Sequence, residues 1–247
     1  MIKIARIAAL LVGAVLLPLA GAAATEFNPA QRAEIVTILR DALKQDPSIL
    51  RDAVMALQAE DGAKDRAATR ATIASAGDAL VRPEDPVAGN PKGDVTIVEF
   101  FDTRCPYCRR LESAMAQFLA EDHGVRLVYK DLPILGPAST LGSKALLAAQ
   151  KQGAYQKMRD AVMQLPSDTT PAMIQAAAEK LGLDWTRLSR DMEDASVQLR
   201  IDANLRLART LSIQGTPALI IGQDMVPGAI DVPELRKMVA EARRATH

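Results

Sequence analysis

Cysteine is scarce in this chain. Only two occur in 247 residues, Cys105 and Cys108, whereas an exported protein stapled by disulfides would carry several well-separated pairs. A bridge across so short a loop removes little entropy from the unfolded chain, so stability is a poor reason for the pair and reactivity a better one. Histidine is as rare: His123 and His247 are the two present, both predicted far from the cysteines. A structural zinc site needs four ligands, and a second pair is missing. Aromatic residues make up 3% of the chain against 49% hydrophobic residues in all, which predicts an aliphatic, alanine-rich, largely helical protein. Net charge is absent as well, with 30 Lys and Arg against 30 Asp and Glu, so nucleic acid is not an expected partner.

One long apolar run exists, at the amino end. Lys3 and Arg6 precede Ile7 to Ala20, which is interrupted by Gly13 and Pro18. The run is too short for a spanning helix with stable flanks. Ala22-Ala23-Ala24 supplies an A-x-A-like cleavage site before Thr25, so residues 1–24 read as a secretory signal peptide. An uncleaved anchor is the alternative, and either one places the rest of the chain outside the cytoplasm. Without that segment 28 basic residues remain (30 less Lys3 and Arg6) against 30 acidic ones.

Residues 25–80 read as a helical arm. Asn28 is placed as an N-cap, Pro29 as the first helical residue and Gln31 as the third, a capping-box pattern. Ile35, Ile38, Leu39 and Leu43 mark one face, and a second helix starts at Asp46-Pro47 with Ile49, Leu50, Ala53, Val54 and Leu57. The amphipathic arm has too few large side chains for its own core. It either docks on its own catalytic domain or associates with the same arm of other chains. Residues 81–94, with Pro83, Pro86, Gly89, Pro91 and Gly93, break any helix and read as a linker.

The rest predicts an α/β domain over 95–245. Val95 to Phe101 is a β-branched and aromatic strand, Asp102-Thr103-Arg104 a turn, and Cys105-Pro106-Tyr107-Cys108 opens a helix that ends near Gly124. A second strand follows from Val125 to Lys130, so a right-handed parallel crossover is expected. A helical insertion spans about 139–211. A hairpin from Ala218 to Pro227 and a helix from Val232 to Ala245 close the domain.

A thiol attacks a disulfide only as thiolate, and an ordinary cysteine is mostly protonated at neutral pH. Cys105 at a helix start gains a favourable field from unpaired N–H groups and the helix dipole. Pro106 suits the first helical position because its missing N–H costs nothing there. Cys108, one turn inside, is near enough to close a disulfide, which makes Cys105 the attacking sulfur and Cys108 the resolving one. Copper capture by the two thiols and a purely structural bridge are the competing readings of the pair. Glu99 sits in a strand otherwise built for burial. An unpartnered buried carboxylate raises its own pKa and can carry protons; a satisfied structural acid is the alternative. Arg104, Arg109 and Arg110 either favour the thiolate or are solvated helix-end charges.

Taken together, Glu99-Phe100-Phe101, Cys105-Pro106-Tyr107-Cys108 and Gly215-Thr216-Pro217 before a strand resemble the DsbA family of thioredoxin-fold proteins, from about Asp85 to the carboxyl end. The arm and the segment Asp85-Pro86-Val87-Ala88-Gly89-Asn90-Pro91 are most similar to its ScsC-like (suppressor of copper sensitivity) branch. The resemblance implies that Pro217 is a cis-proline facing the dithiol. It implies that the Thr216 loop pairs with an extended substrate segment, that Pro106 and Tyr107 set redox poise, and that Glu99 is the buried acid beneath the disulfide. No cofactor or resident metal is implied. Expected partners are cysteine-containing proteins of the periplasm, a membrane redox partner that resets the dithiol, and further copies of the chain, three in all by this resemblance. Three functions follow as expectations: disulfide isomerase or reductase, disulfide-donating oxidase, and a binding protein that sequesters copper or holds unfolded chains.

Overall fold

The computed structural model describes residues 27–246; the expected signal peptide over 1–24 and His247 lie outside the described residues. The chain divides into two compact units, Met1–Ala59 and Glu60–His247.

In the first unit, helix α1 (Pro29–Gln45) starts where the capping pattern puts it. The Asn28 carboxamide oxygen accepts from the Gln31 N–H at 2.9 Å, and the Gln31 side chain accepts from the Asn28 N–H at 3.0 Å. The Asp46 carboxylate then accepts from the Ser48 N–H at 3.0 Å, where α2 (Ser48–Ala76) begins. No residue of α1 is buried. Ile35, Ile38, Leu39, Ile49, Leu50 and Leu57 remain 44–61% exposed, so the apolar face is uncovered.

The second unit starts inside α2, earlier than the arm boundary expected at residue 80, because two residues near the end of that helix are tied to the sheet. Ile73 is buried with Val98, Phe100 and Ile220, and the Arg70 guanidinium donates twice to Asp224, at 2.8 and 3.1 Å. Among the described residues the sheet has five strands, β1 (Val87–Gly89), β2 (Val95–Phe101), β3 (Val125–Asp131), β4 (Ala218–Ile221) and β5 (Asp224–Pro227), in the order β1-β3-β2-β4-β5. Strands β2 and β3 are parallel, with Glu99 opposite Tyr129 and Phe101 opposite Asp131. They are joined through α3 (Pro106–Glu121). Strand β4 runs antiparallel to β2, pairing Glu99 with Leu219 and Phe100 with Ala218.

The expected linker contains a strand. Val87 to Gly89 pairs antiparallel with β3, Val87 opposite Val128, and closes that edge of the sheet. The three residues Val87–Gly89 after Pro86 carry too little pattern to announce a strand; the open edge of β3 supplies the pairing. The insertion forms α4 (Pro137–Gln150), α5 (Tyr155–Met163), α6 (Pro171–Lys180), α7 (Trp185–Met192) and α8 (Ala195–Thr210), and α9 (Val232–Thr246) ends the domain. Both faces of β2 are covered. Ile97 and Phe101 pack with α3, the insertion and α9, while Val98 and Phe100 pack against Ile73, Leu207 and Leu211. Since side chains alternate along a strand, Glu99 shares the face of Ile97 and Phe101.

On the Val128 face of β3, Lys130 is fully buried beside Asp85, and its ammonium also donates to the Ala79 carbonyl at 3.0 Å. The Asp85 carboxylate accepts from the Arg82 N–H at 2.7 Å. Arg200 of α8 closes the cluster, 3.8 Å from Asp85 and hydrogen-bonded to the Glu84 carbonyl at 2.8 Å. The segment 79–85 is thereby clamped to the domain by a buried charge pair. Removing one partner leaves the other charge uncompensated, so Asp85→Ala is expected to cost about 3 kcal/mol, read as a lowered urea midpoint. Replacing both charges, with Lys130→Met added, is expected to recover most of that loss.

Candidate active site

The turn after β2 is built to aim one sulfur. Asp102 is fully buried, and its carboxylate accepts from the N–H groups of Arg104 at 2.8 Å, Ile134 at 2.8 Å and Leu135 at 3.0 Å. It thus locks the turn to the loop between β3 and α4. Thr103 lies against Gly142 of α4, where a Cβ would come within 2.4 Å of the Thr103 hydroxyl. Only glycine lets α4 approach that closely. Cys105 then occupies the N-cap of α3 with extended backbone (φ −73°, ψ 120°), and Pro106 takes the first helical position.

Both cysteines are free and buried, whereas Pro106 and Tyr107 are exposed. The Cys105 sulfur lies 3.1 Å from the Thr216 carbonyl oxygen, and the Thr216–Pro217 peptide bond is cis. The pairing of Ala218 with Phe100 brings this loop to the turn. Cys105, Cys108, Thr216 and Pro217, picked from the sequence, therefore meet at one place.

The two thiols are electrostatically unlike. A hydrogen bond from Cys108 lowers Cys105 from the ordinary value of 9.0 to about 5, aided by the backbone N–H groups of Cys108 and Tyr107 and opposed by burial. The same hydrogen bond, with burial, pushes Cys108 far above its ordinary value. At neutral pH the arrangement is a thiolate at the helix end and a thiol one turn inside, the state a nucleophile with a resolving partner requires.

Glu99 has a partner that the sequence did not announce. Its side chain is 1% exposed, and Oε1 stands 3.5 Å from Nη2 of Arg159, without a hydrogen bond. Arg159 comes from α5 and lies over the rings of Phe101 and Tyr129, 4.7 and 4.3 Å from their centroids. Its Nη1 donates to Glu112 Oε1 at 3.1 Å. Burial still pushes the Glu99 carboxyl up; Arg159 opposes this, and Glu112 and Cys105 add to it. Glu112 follows Cys108 by four residues on α3, so helical periodicity places it on the face of the dithiol. Arg159 carries no such signal, because α5 reaches Glu99 only through the tertiary fold. Glu99, Glu112, Tyr129, Gln156, Arg159 and Asp160 help line a cleft of about 310 Å³.

The other candidates act elsewhere. Arg104 hydrogen-bonds the Leu135 carbonyl, Arg109 donates to the Leu165 carbonyl at 2.7 Å, and Arg110 lies over the Tyr107 ring at 5.1 Å. These contacts brace loops and the exposed end of the helix. His123 follows the far end of α3, about 24 Å along the axis from Cys105 at 1.5 Å per residue.

The DSBA-like thioredoxin domain family matches residues 96–240, and the copper resistance protein ScsC N-terminal domain matches residues 31–64. A thioredoxin-like oxidoreductase from Silicibacter pomeroyi is 40% identical, with a TM-score of 0.66 over 68% of this chain and 98% of that one. Proteus mirabilis ScsC in a transitional conformation is 31% identical, with a TM-score of 0.64 over 89% of this chain and 98% of that one. Among curated proteins, Na(+)/H(+) antiporter NhaA 1 of Salinispora arenicola is 30% identical over 173 residues, 68% of this chain. The chain spans about a quarter (26%) of that relative's length, so the antiporter's named activity is not carried over.

In the reduced protein the 240 nm thiolate absorbance is expected to titrate with a midpoint of about 5 and to vanish in Cys105→Ser. The folded pKa lies below the unfolded one, so this group stabilises the reduced fold fully above the ordinary thiol value. That contribution fades as pH falls and is gone below the folded value. Reduced wild type should therefore lose its stability advantage over Cys105→Ser between about pH 9 and pH 5, as followed by urea denaturation across that range.

Proposed function

The chain belongs to the DsbA-like thioredoxin family and carries an ScsC-type amino-terminal segment; from that premise we propose that this thiol–disulfide oxidoreductase is an exported disulfide isomerase or reductase. The pairing of a Cys105 thiolate with a Cys108 thiol beside the Thr216–Pro217 loop carries the thiol–disulfide exchange, and the ScsC-type segment over residues 31–64 supports the choice of isomerase. In this reading a membrane redox partner keeps the dithiol reduced in the periplasm. The Cys105 thiolate attacks one sulfur of a substrate disulfide, forms a mixed disulfide and expels the other substrate sulfur as thiolate. That thiolate either attacks another disulfide of the same substrate, and the thiolate so freed attacks the mixed disulfide and expels Cys105, which reshuffles the bonds, or Cys108 attacks Cys105 and releases a reduced substrate. Thr216 presents backbone to an extended substrate segment, Pro217 shapes that loop, and Pro106 and Tyr107 form the exposed rim. Glu99 takes and returns the Cys108 proton.

Isomerisation gains from several sites around one substrate. The uncovered apolar faces of α1 and α2, within the segment that matches the ScsC N-terminal domain, support an oligomer of three chains. One observation favours the oxidase instead: a strongly lowered Cys105 pKa stabilises the reduced dithiol, and a stabilised reduced form makes its disulfide a better oxidant.

Light scattering of the mature protein with and without residues 25–59, together with refolding of a scrambled disulfide substrate, separates the two. This deletion spares Arg70 and Ile73. The expected result is an oligomer that isomerises and a truncated monomer that only oxidises or reduces dithiols; monomers in both cases would favour the oxidase. Separately, Cys108→Ser is expected to accumulate mixed disulfides with substrate on non-reducing gels, while Cys105→Ser accumulates none.

A further inference from the structure

Beneath the dithiol, one guanidinium serves two carboxyls. Arg159 is fixed by the rings of Phe101 and Tyr129, and its Nη1 donates to Glu112 at 3.1 Å, while Nη2 stands 3.5 Å from Glu99. We propose that Glu112 is a positioning residue for the thiol chemistry: by holding Arg159 through the shorter contact, it makes Glu99 the carboxyl of the triad that takes up and gives back a proton most readily. The inference rests on the reading of Glu99 as the proton carrier for Cys108.

The argument is one of charge. Two ionised carboxylates and one guanidinium would leave a net negative charge in a buried site, and one bound proton removes it. The proton goes to the less compensated carboxyl. The Glu112 side chain is 18% exposed and hydrogen-bonded to Arg159, whereas the Glu99 side chain is 1% exposed and its Oε1 has no hydrogen bond. Glu99 faces Cys105, Cys108 and Glu112 from α3, Arg159 and Asp160 from α5, and Tyr129 from β3; its neighbour on β4 is the apolar Leu219. Asp160, which accepts from Gln156 at 2.7 Å, raises the Glu112 carboxyl by its charge and a hydrogen bond and so opposes this order, against which stands the direct Arg159–Glu112 contact at 3.1 Å. Burial pushes both Glu99 and Glu112 upward.

The consequence concerns the resolving step. Starting from the mixed disulfide, and once Glu99 has released its proton to solvent, the Cys108 thiol gives its proton to the Glu99 carboxylate, and the Cys108 sulfur attacks the Cys105 sulfur. The Cys105–Cys108 bond forms, the bond to substrate breaks, and the substrate sulfur leaves with the electron pair and takes a proton from water. The dithiol has lost two electrons and the substrate has gained them. The reverse reaction returns the Glu99 proton to Cys108. A carrier works fastest in both directions when its pKa lies near the working pH, and Glu112 is what moves Glu99 toward it.

The test is a titration of full-length mature protein, reduced and labelled with carboxyl-13C glutamate, with the Glu99 signal assigned by its loss in Glu99→Gln. In Glu112→Gln the Glu99 midpoint is expected to fall by about one pH unit, because Arg159 is released to it; Arg159→Met is expected to raise it by at least about one unit. Glu112→Asp should stay near wild type. A Glu99 midpoint that stays put or rises in Glu112→Gln overturns the proposal, and that variant, altered at the cleft, decides the matter even where Arg159→Met does not fold. The release of glutathione from a preformed mixed disulfide on Cys105, followed against pH, should shift with the Glu99 midpoint. If Glu99→Gln leaves that rate profile unchanged, the carrier reading fails, while the carboxyl titration still decides what Glu112 does.

Discussion

A thiolate at Cys105 is a negative charge with little water around it, and such a charge persists only where fixed dipoles and hydrogen bonds replace its hydration. The turn of residues 102–105 exists to supply them. It sets the sulfur at the amino end of α3, within reach of the Tyr107 and Cys108 N–H groups and the Cys108 thiol. Holding that geometry takes a rigid turn, and Asp102 provides it through three backbone N–H groups from two segments. Strand β2 in turn has to be buried on both faces, because it carries the turn at one end and pairs with β3 and β4 along its length.

Burying the site creates a second problem, which is proton supply to Cys108. That sulfur is fully buried and strongly disfavours losing its proton. Glu99 sits on the same face of the strand, and the insertion brings Arg159 to it. The helices between β3 and β4 thus do more than cap the sheet. They place a buried cation against a group on β2 whose own charge acts on Cys105 and Cys108.

How much of this could be read in advance depends on whether the signal was local. The capping box at Asn28 and Gln31 lies within four consecutive residues, and the structure reproduces it hydrogen bond for hydrogen bond. Val95 to Phe101 announces itself by composition, and Cys105 with Pro106 by spacing at a helix start. Thr216 and Pro217 were reached through resemblance, since Gly-Thr-Pro alone is an ordinary turn. Strand β1 was not legible, because its pairing is owed to the edge of β3. Nor was Arg159: a carboxylate on β2 and a guanidinium on α5 meet only once five helices have folded onto the sheet. Sequence left Glu99 as either an unpartnered or a satisfied acid; in the structure it stands near a guanidinium that Glu112 holds at a shorter distance.

The arm poses the opposite physical situation. Helix α1 buries nothing, and a helix of its length gains little stability alone beyond its cap. Its open face of Ile35, Ile38 and Leu39 loses the stabilisation that burial would give, roughly 25 cal/mol for each Å² of apolar surface. An oligomer would recover that loss, and the same contact would set the spacing between active sites. On the isomerase reading, then, the exposed face that weakens the isolated arm is also what gathers several thiolates around one substrate. The apolar stripe of α1 and the charge triad beneath Cys105 would act on the same reaction at different steps, the first on which disulfides are reached and the second on how quickly each mixed disulfide is resolved.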